Sequence, residues 1–272
     1  MEIAPYFVIE KEVGETPLQA LERGRNMHGV SAETPLTYAG RLDPMASGRL
    51  LILVGDTCKK KEAYLGLDKE YVVEVLLGAS SDTGDVLGCI NFQTTIPEKV
   101  TAALAKRALR ACRGAIRLPY PHFSSKTVQG KPLHTWTLEG RVHEIAIPIK
   151  QSHIYKITYN GLRTVAREEI VRTVDAKIAT IPEVTDPRKA LGADFRRDAV
   201  RAGWQTFAKD GAPDYQVLTF TCICSSGTYM RSLAEYLGKE LGMAALAYSI
   251  HRTKIGRFQG LFDGLGVWTK RL

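Results

Sequence analysis

The sequence has little cysteine. Five residues in 272, an odd number with no C-x-x-C pair among them, exclude a disulfide framework and the ligand spacing of a zinc site. Six histidines (His28, His122, His134, His143, His153 and His251) are scattered without metal-ligand spacing. No apolar run approaches the roughly 18 residues that a membrane span requires. The N-terminal MEIAPYFVIEKE begins acidic and breaks its apolar run early, unlike a signal peptide. G-x-S-x-G, H-E-x-x-H, Walker A and G-x-G-x-x-G fingerprints are missing, as are internal repeats and low-complexity tracts. These absences lead to the expectation of a cytoplasmic protein whose site uses neither metal nor cofactor.

What is present is an ordinary globular composition with a basic balance. Apolar residues make up 44%, enough for one substantial core, and 37 Lys plus Arg against 29 Asp plus Glu give a net charge of +8 and suggest a polyanionic partner. A short strand near Tyr6 to Glu10 precedes a helix opening at Pro17, with Thr16 as its cap. A glycine-flanked loop then feeds the strand LLILV (50–54). Alternation in YVVEVLL (71–77) puts Tyr71, Val73, Val75 and Leu77 on one face. A helix follows from about Pro97 to Arg113, with Lys99, Lys106, Arg110 and Arg113 along a solvated stripe.

Residues 119–148 lack periodicity and are rich in Pro, His, Lys and aromatics, as in a projecting arm. Residues 162–210 read as a charged helical insertion of two helices separated at residues 181–187. The strand QVLTFTCIC (216–224) runs through SSGTYMR (225–231) into a helix, opening near Thr228, with Met230, Leu233, Leu237 and Leu241 inward. Strands and helices do not alternate regularly, which favours an α+β fold with a mixed, largely antiparallel sheet.

Two residues stand out chemically. Asp43 lies between Gly40 and Gly48 with Pro44 pushing its backbone toward an extended conformation, so a lone carboxylate is fixed on a loop anchored to a core strand. Arg231 falls in the first turn of its helix, where the macrodipole disfavours a cation, and an acidic partner elsewhere would explain it.

The segment GRLDPMASG (40–48) followed by LLILVGD (50–56) resembles the catalytic motif of the TruB family of tRNA pseudouridine synthases. In family order follow KEY (69–71), the acidic turn SDTGDVLG (81–88), RG (113–114), QGK (129–131), SGTYMRSLAEYLG (226–238) and HRTKIGRF (251–258). The resemblance implies a mixed central sheet with flanking helices, a cleft across it and an inserted RNA-clasping thumb. It implies Asp43 as nucleophile, Tyr71 as the stacking partner of the target base and Arg231 as the partner of the aspartate. Substrate-binding roles fall to Tyr38, Lys11, Tyr229, Arg252 and Lys131. The implied substrate is the T-stem loop of tRNA, with the uridine at tRNA position 55 as target, no cofactor, no obligatory protein partner and a monomer.

Some positions depart from the family pattern. The opening K-P-x-G-x-[ST]-S reads KEVGETP (11–17), and the histidine usual five residues before the aspartate is Tyr38, an aromatic that could still wedge or stack. The lysine usual before the late glycine-threonine-tyrosine block is a serine, Ser225 or Ser226. The 162–210 segment lacks a counterpart in compact members. About 14 residues follow Phe258, leading to the expectation of a single catalytic domain without a C-terminal PUA domain. Two other readings stay open at the level of sequence: a guide-dependent relative, and a non-catalytic RNA-folding protein that keeps the fold.

Overall fold

A computed structural model describes residues 4–96, 99–181, 196–260 and 266–272. The elements in chain order are β1 (Tyr6–Lys11), α1 (Pro17–Met27), β2 (Leu36–Ala39), β3 (Ser47–Val54), α2 (Lys61–Leu65), β4 (Asp68–Leu77), β5 (Ala79–Ser81), β6 (Ile90–Phe92), α3 (Ala102–Ala111) and β7 (Gly114–Pro119). There follow β8 (Thr127–Val128), β9 (Lys131–Pro132), α4 (Leu133–Leu138), β10 (Ile149–Ala166), α5 (Arg167–Ala179), α6 (Arg197–Asp210), β11 (Asp214–Cys224), α7 (Met230–Glu240), β12 (Ala245–Gly260) and β13 (Gly266–Arg271).

The central sheet runs β1-β3-β12-β4-β11-β10-β7, with β2 on β3 and β13 on β12. Among the described strands one pairing is parallel, the short match of β12 with β3 through His251 and Arg252. The α+β reading with a largely antiparallel sheet holds. Along β3 the side chains separate by parity as a pleated strand requires: Leu50 and Ile52 pack with Ala20 and Leu21 of α1, whereas Leu51 and Leu53 pack with Leu67 and Ile255. Helix α1 begins where its sequence says it should. Thr16 accepts from the Gln19 backbone N–H, and Gln19 reciprocates by accepting from the Thr16 N–H, a full capping box with Pro17 at the first turn.

Three boundaries differ from the sequence reading. The described part of the third helix starts at Ala102, because the Thr101 hydroxyl caps it by accepting from the Leu104 N–H; Pro97 lies outside the described residues. Residues 162–166 are not helical but complete β10, paired with β11 as far as Ala166↔Asp214. Helix α7 starts at Met230 rather than Thr228, because the Thr228 hydroxyl turns back to the Ser225 carbonyl and closes the preceding turn.

The two helices expected in the charged segment are α5 and α6, and they are not peripheral. Ile170, Val174 and Ile178 of α5 and Val200, Trp204 and Phe207 of α6 join the main core. Both helices carry an apolar stripe at helical spacing under a charged outer face, so the charge describes only the outside. Of the separator expected at 181–187, residues 182–187 lie outside the described residues. The 119–148 arm is a folded module in which Leu133, Trp136 and Ile145 make a small core of their own with Tyr120, Val128 and Ile147.

Candidate active site

The loop before β3 presents Asp43 by burying its apolar neighbours on either side. Leu42, Met45 and Ala46 are buried in the main core, and the turn is closed by Ala46 N–H donating to the Asp43 carbonyl. Three outside groups hold this loop. The Gly14 N–H donates to the Pro44 carbonyl, the Lys11 ammonium donates to Ala46 at 2.6 Å, and Arg252 donates to the carbonyls of Arg49 (2.6 Å), Gly40 (3.1 Å) and Arg41 (3.4 Å). Gly48 has φ +107°, and a Cβ there would sit 2.3 Å from the Arg252 carbonyl oxygen, so the parallel junction of β3 with β12 admits only glycine.

Asp43 opens into a cavity of about 580 Å³. The loop 40–46, Lys69 and Tyr71 of β4, Thr83, Asp85 and Leu87, the thumb residues Phe123–Ser125, His134 and Leu138, Arg196, and the 225–231 turn line it. Asp43 keeps 40% of its side chain exposed, but Arg231, whose Nε lies 2.8 Å from the Asp43 carboxylate, keeps only 4%. Arg231 is held from several sides. It donates to the Thr83 carbonyl at 2.7 Å and to the Phe123 carbonyl at 3.2 Å, and its Nε also faces the buried Asp85 carboxylate at 3.7 Å.

Burial works against the charge on Arg231, but Asp43 first and Asp85 next outweigh it, and its pKa is raised. The two carboxylates therefore explain a cation in the first turn of α7. Asp85 itself accepts from the Thr83 hydroxyl and the Leu87 N–H, both at 2.9 Å; burial chiefly raises its pKa, with Arg231 opposing and Asp43 adding to the rise.

Tyr71 lies on the cavity wall at 9% exposure, and burial, opposed by Arg252, pushes its hydroxyl up to about 12. Its neutral ring is available for stacking. Tyr229 lines the same space and packs edge-on against Tyr120 of the thumb root at 5.4 Å. Asp43, Tyr71, Tyr229 and Arg231 are thus brought together.

Of the other expected substrate contacts, only Arg252 touches the cavity, and none points a free group into it. Lys11 and Arg252 are buried struts at 0% and 1% exposure, with donors used on loop carbonyls, so that both support the Asp43 loop. Burial lowers the Lys11 pKa to about 8, with Glu15 and Asp43 resisting. Lys131 is tied to Glu139 at 2.6 Å and lies over the Trp136 ring inside the thumb. Tyr38 stands outside the cavity lining, its ring flanked by the Lys61 ammonium (5.3 Å) and the Arg41 guanidinium (5.9 Å).

Sequence reasoning gave no role to Asp85, Lys69 or Arg196. Asp85 lay in an acidic turn, and Lys69 stood two places before Tyr71, so both carried a signal. Arg196 carried none. Lys69 lines the cavity, donates to the Leu65 carbonyl at 2.9 Å and to Leu67, and meets Ser226 Oγ at 3.3 Å. Burial and then Arg252 lower its pKa to about 8. Among the described residues no cluster of His, Cys, Asp and Glu is arranged to hold a metal, and no helix is long and apolar enough to cross a membrane.

A carboxylate on a glycine-flanked loop, an arginine buried beside it and a tyrosine in the same cavity lining are carried by one mixed, largely antiparallel sheet, which is the pseudouridine synthase fold. The chain belongs to the TruB family: the family model "TruB family pseudouridylate synthase (N terminal domain)" matches residues 30–178 and so takes in α5. It is similar to "tRNA pseudouridine synthase B" of Caldicellulosiruptor saccharolyticus, 26% identical over 92% of this chain and 67% of that one. The protein of the same name from Marinomonas sp. is 26% identical over 90% and 61%, and that from Protochlamydia amoebophila 28% over 92% and 74%. The chain therefore spans between 61% and 74% of the length of these relatives. Among solved structures, a chain of a Cbf5-Nop10-Gar1 complex shares the fold at TM-score 0.53 and 17% identity, covering 92% of this chain and 48% of that one.

Proposed function

We propose that the chain is a tRNA pseudouridine synthase that isomerises a T-loop uridine, the one at tRNA position 55. Breaking the C1′–N1 bond, turning the base and joining C1′ to C5 neither adds nor removes atoms, so the reaction needs no redox partner. Asp43 starts it, by attack on the substrate or by removing a sugar proton. Arg231 orients the Asp43 carboxylate and balances its charge, and Tyr71 offers the flipped base a stacking surface in place of its lost neighbours.

Asp43 is 40% exposed. Water has to be displaced by the incoming base itself, which the thumb at 119–148 clasps with its RNA. Tyr38, between Lys61 and Arg41, stacks at the rim where phosphates pass. Such an enzyme works in the cytoplasm with its tRNA, as a monomer and without an obligatory protein partner, residues 1–272 serving as the catalytic unit.

The observation that carries this reading is the 2.8 Å ion pair of Asp43 with a buried arginine in an open cavity that Tyr71 also lines. The test uses a tRNA transcript tritiated at uridine C5. Release by the wild-type protein, abolished when the T-loop uridine is replaced by cytidine, supports chemistry and target together. Tight tRNA binding without release points to an RNA-folding protein instead. Release that survives the replacement moves the target elsewhere.

A further inference from the structure

Phe123, the residue at which the thumb meets the cavity, is held from two sides. Its carbonyl accepts from Arg231 at 3.2 Å, and its ring lies under the Arg196 guanidinium at 4.4 Å. Arg196 is in turn fixed by Asp82, whose carboxylate accepts from both of its terminal nitrogens, the longer bond being 3.1 Å. Asp82 belongs to the same turn that supplies Thr83 and Asp85 to Arg231. The side chain of Arg196 is 24% exposed and lines the cavity. Its backbone adopts φ +57°, a left-handed conformation uncommon for a residue other than glycine, at the start of α6.

We propose that Arg196 is a positioning residue: stacked on Phe123 and anchored by Asp82, it locks the thumb root against the cavity and thereby holds Arg231 in register with Asp43. This rests on the reading of the chain as a pseudouridine synthase. A guanidinium suits the task because its flat face covers an aromatic ring while its edge forks onto a carboxylate, two contacts that an ammonium cannot make together. Asp82 fixes the cation without neutralising any group that Arg231 needs. The chain order 43, 85, 123, 196, 231 places this latch between the acidic turn, the thumb and the core-packed helices. The charged segment thereby acquires a function beyond packing, which is to supply from the start of α6 the cation that closes the thumb root.

The test compares wild type with Arg196→Ala, Arg196→Lys and Phe123→Ala. In the free protein, hydrogen exchange of thumb peptides from 119–148 is expected to rise in all three variants, with the midpoint of global unfolding little changed. In single turnover on saturating tRNA, Arg196→Ala is expected to lose roughly five- to thirtyfold in rate, the size of one partly desolvated cation–π contact, with less than a threefold change in RNA affinity. Arg196→Lys should not recover the rate, because it keeps the charge on Asp82 and loses the flat stack. The double variant with Phe123→Ala should be no slower than the slower single variant.

Unchanged thumb exchange in Arg196→Ala overturns the latch whatever the RNA assay gives. So does full additivity of the two substitutions. If wild type itself releases no tritium, the synthase reading fails while the exchange experiment still decides the latch.

Discussion

The Arg231 guanidinium lies 2.8 Å from the Asp43 carboxylate and is almost wholly buried, while Asp43 faces an open cavity. The carboxylate is accessible and its partner is not, so the partner can be positioned in advance of any substrate. Preorganised charge of this kind needs no rearrangement when the reaction begins.

Arg231 works as a fork, holding Asp43, Asp85 and two carbonyls at once. Arg231→Lys keeps the charge and loses the fork, and its single-turnover rate should fall roughly 100- to 1000-fold with tRNA affinity little changed. Asp85→Asn leaves Asp43 in place and removes one of the two carboxylates holding Arg231. It should slow the same step by roughly 10- to 100-fold, again without weakening binding, as read by quench-flow and filter binding.

Lys69 is buried, and its pKa in the folded protein is lowered to about 8 from an ordinary 10.5. Below pH 8 the lysine is charged in both states and the folded state bears the burial penalty. Between about pH 8 and 10.5 the unfolded chain binds the extra proton, so stability from this group rises with pH. Up to pH 9.5 the gain is on the order of 2 kcal/mol, and Lys69→Met should lack it. Denaturant titrations of both proteins at pH 7 and pH 9.5 give the comparison, the upper value kept below the tyrosine range so that Tyr71 stays protonated.

Gly48→Ala should be costly for a backbone reason. The new Cβ meets main-chain atoms of Arg252 that cannot swing aside, at a φ of +107° that alanine avoids. A loss of about 1–3 kcal/mol is expected from strain alone. Because the same junction anchors the Asp43 loop, turnover should fall as well, which thermal melts and tritium release would record together.

Trp204 of α6 is wholly buried and donates its indole N–H to the Val86 carbonyl at 3.1 Å. Trp204→Ala should destabilise the protein by about 3–5 kcal/mol, as for other large-to-small core changes. A near-neutral result in chemical denaturation would mean that α5 and α6 are an appendage after all.

The Asp43 loop was legible because its signals are local: glycines, a proline and an apolar strand within a few residues. Helix α1 was legible for the same reason, through Thr16, Pro17 and Gln19. The small core of the thumb was not, because Leu133, Trp136 and Ile145 meet across short turns and leave no period to read. The last part of β10 was hidden by Arg163 and Thr164, adjacent polar residues exposed on opposite faces of a strand that continues to Ala166. The family resemblance placed Lys11 and Arg252 among the substrate-binding residues, and a cation in sequence carries no mark of its partners. Only the packed chain shows their donors spent on the Ala46 and Gly40 carbonyls. Arg196 depends on Asp82, 114 positions away, beyond the reach of any spacing argument, and the acidic turn that marked Asp85 carried no sign of its distant partner Arg231.

The most direct test of the central claim is single-turnover tritium release from C5-labelled tRNA by wild type and Asp43→Asn, with tRNA affinity measured on the same preparations. The expected result is rapid release by wild type and none above background for Asp43→Asn, at equal affinity. Release by Asp43→Asn at a rate near wild type would contradict the account, since the cavity would then hold a different reactive group.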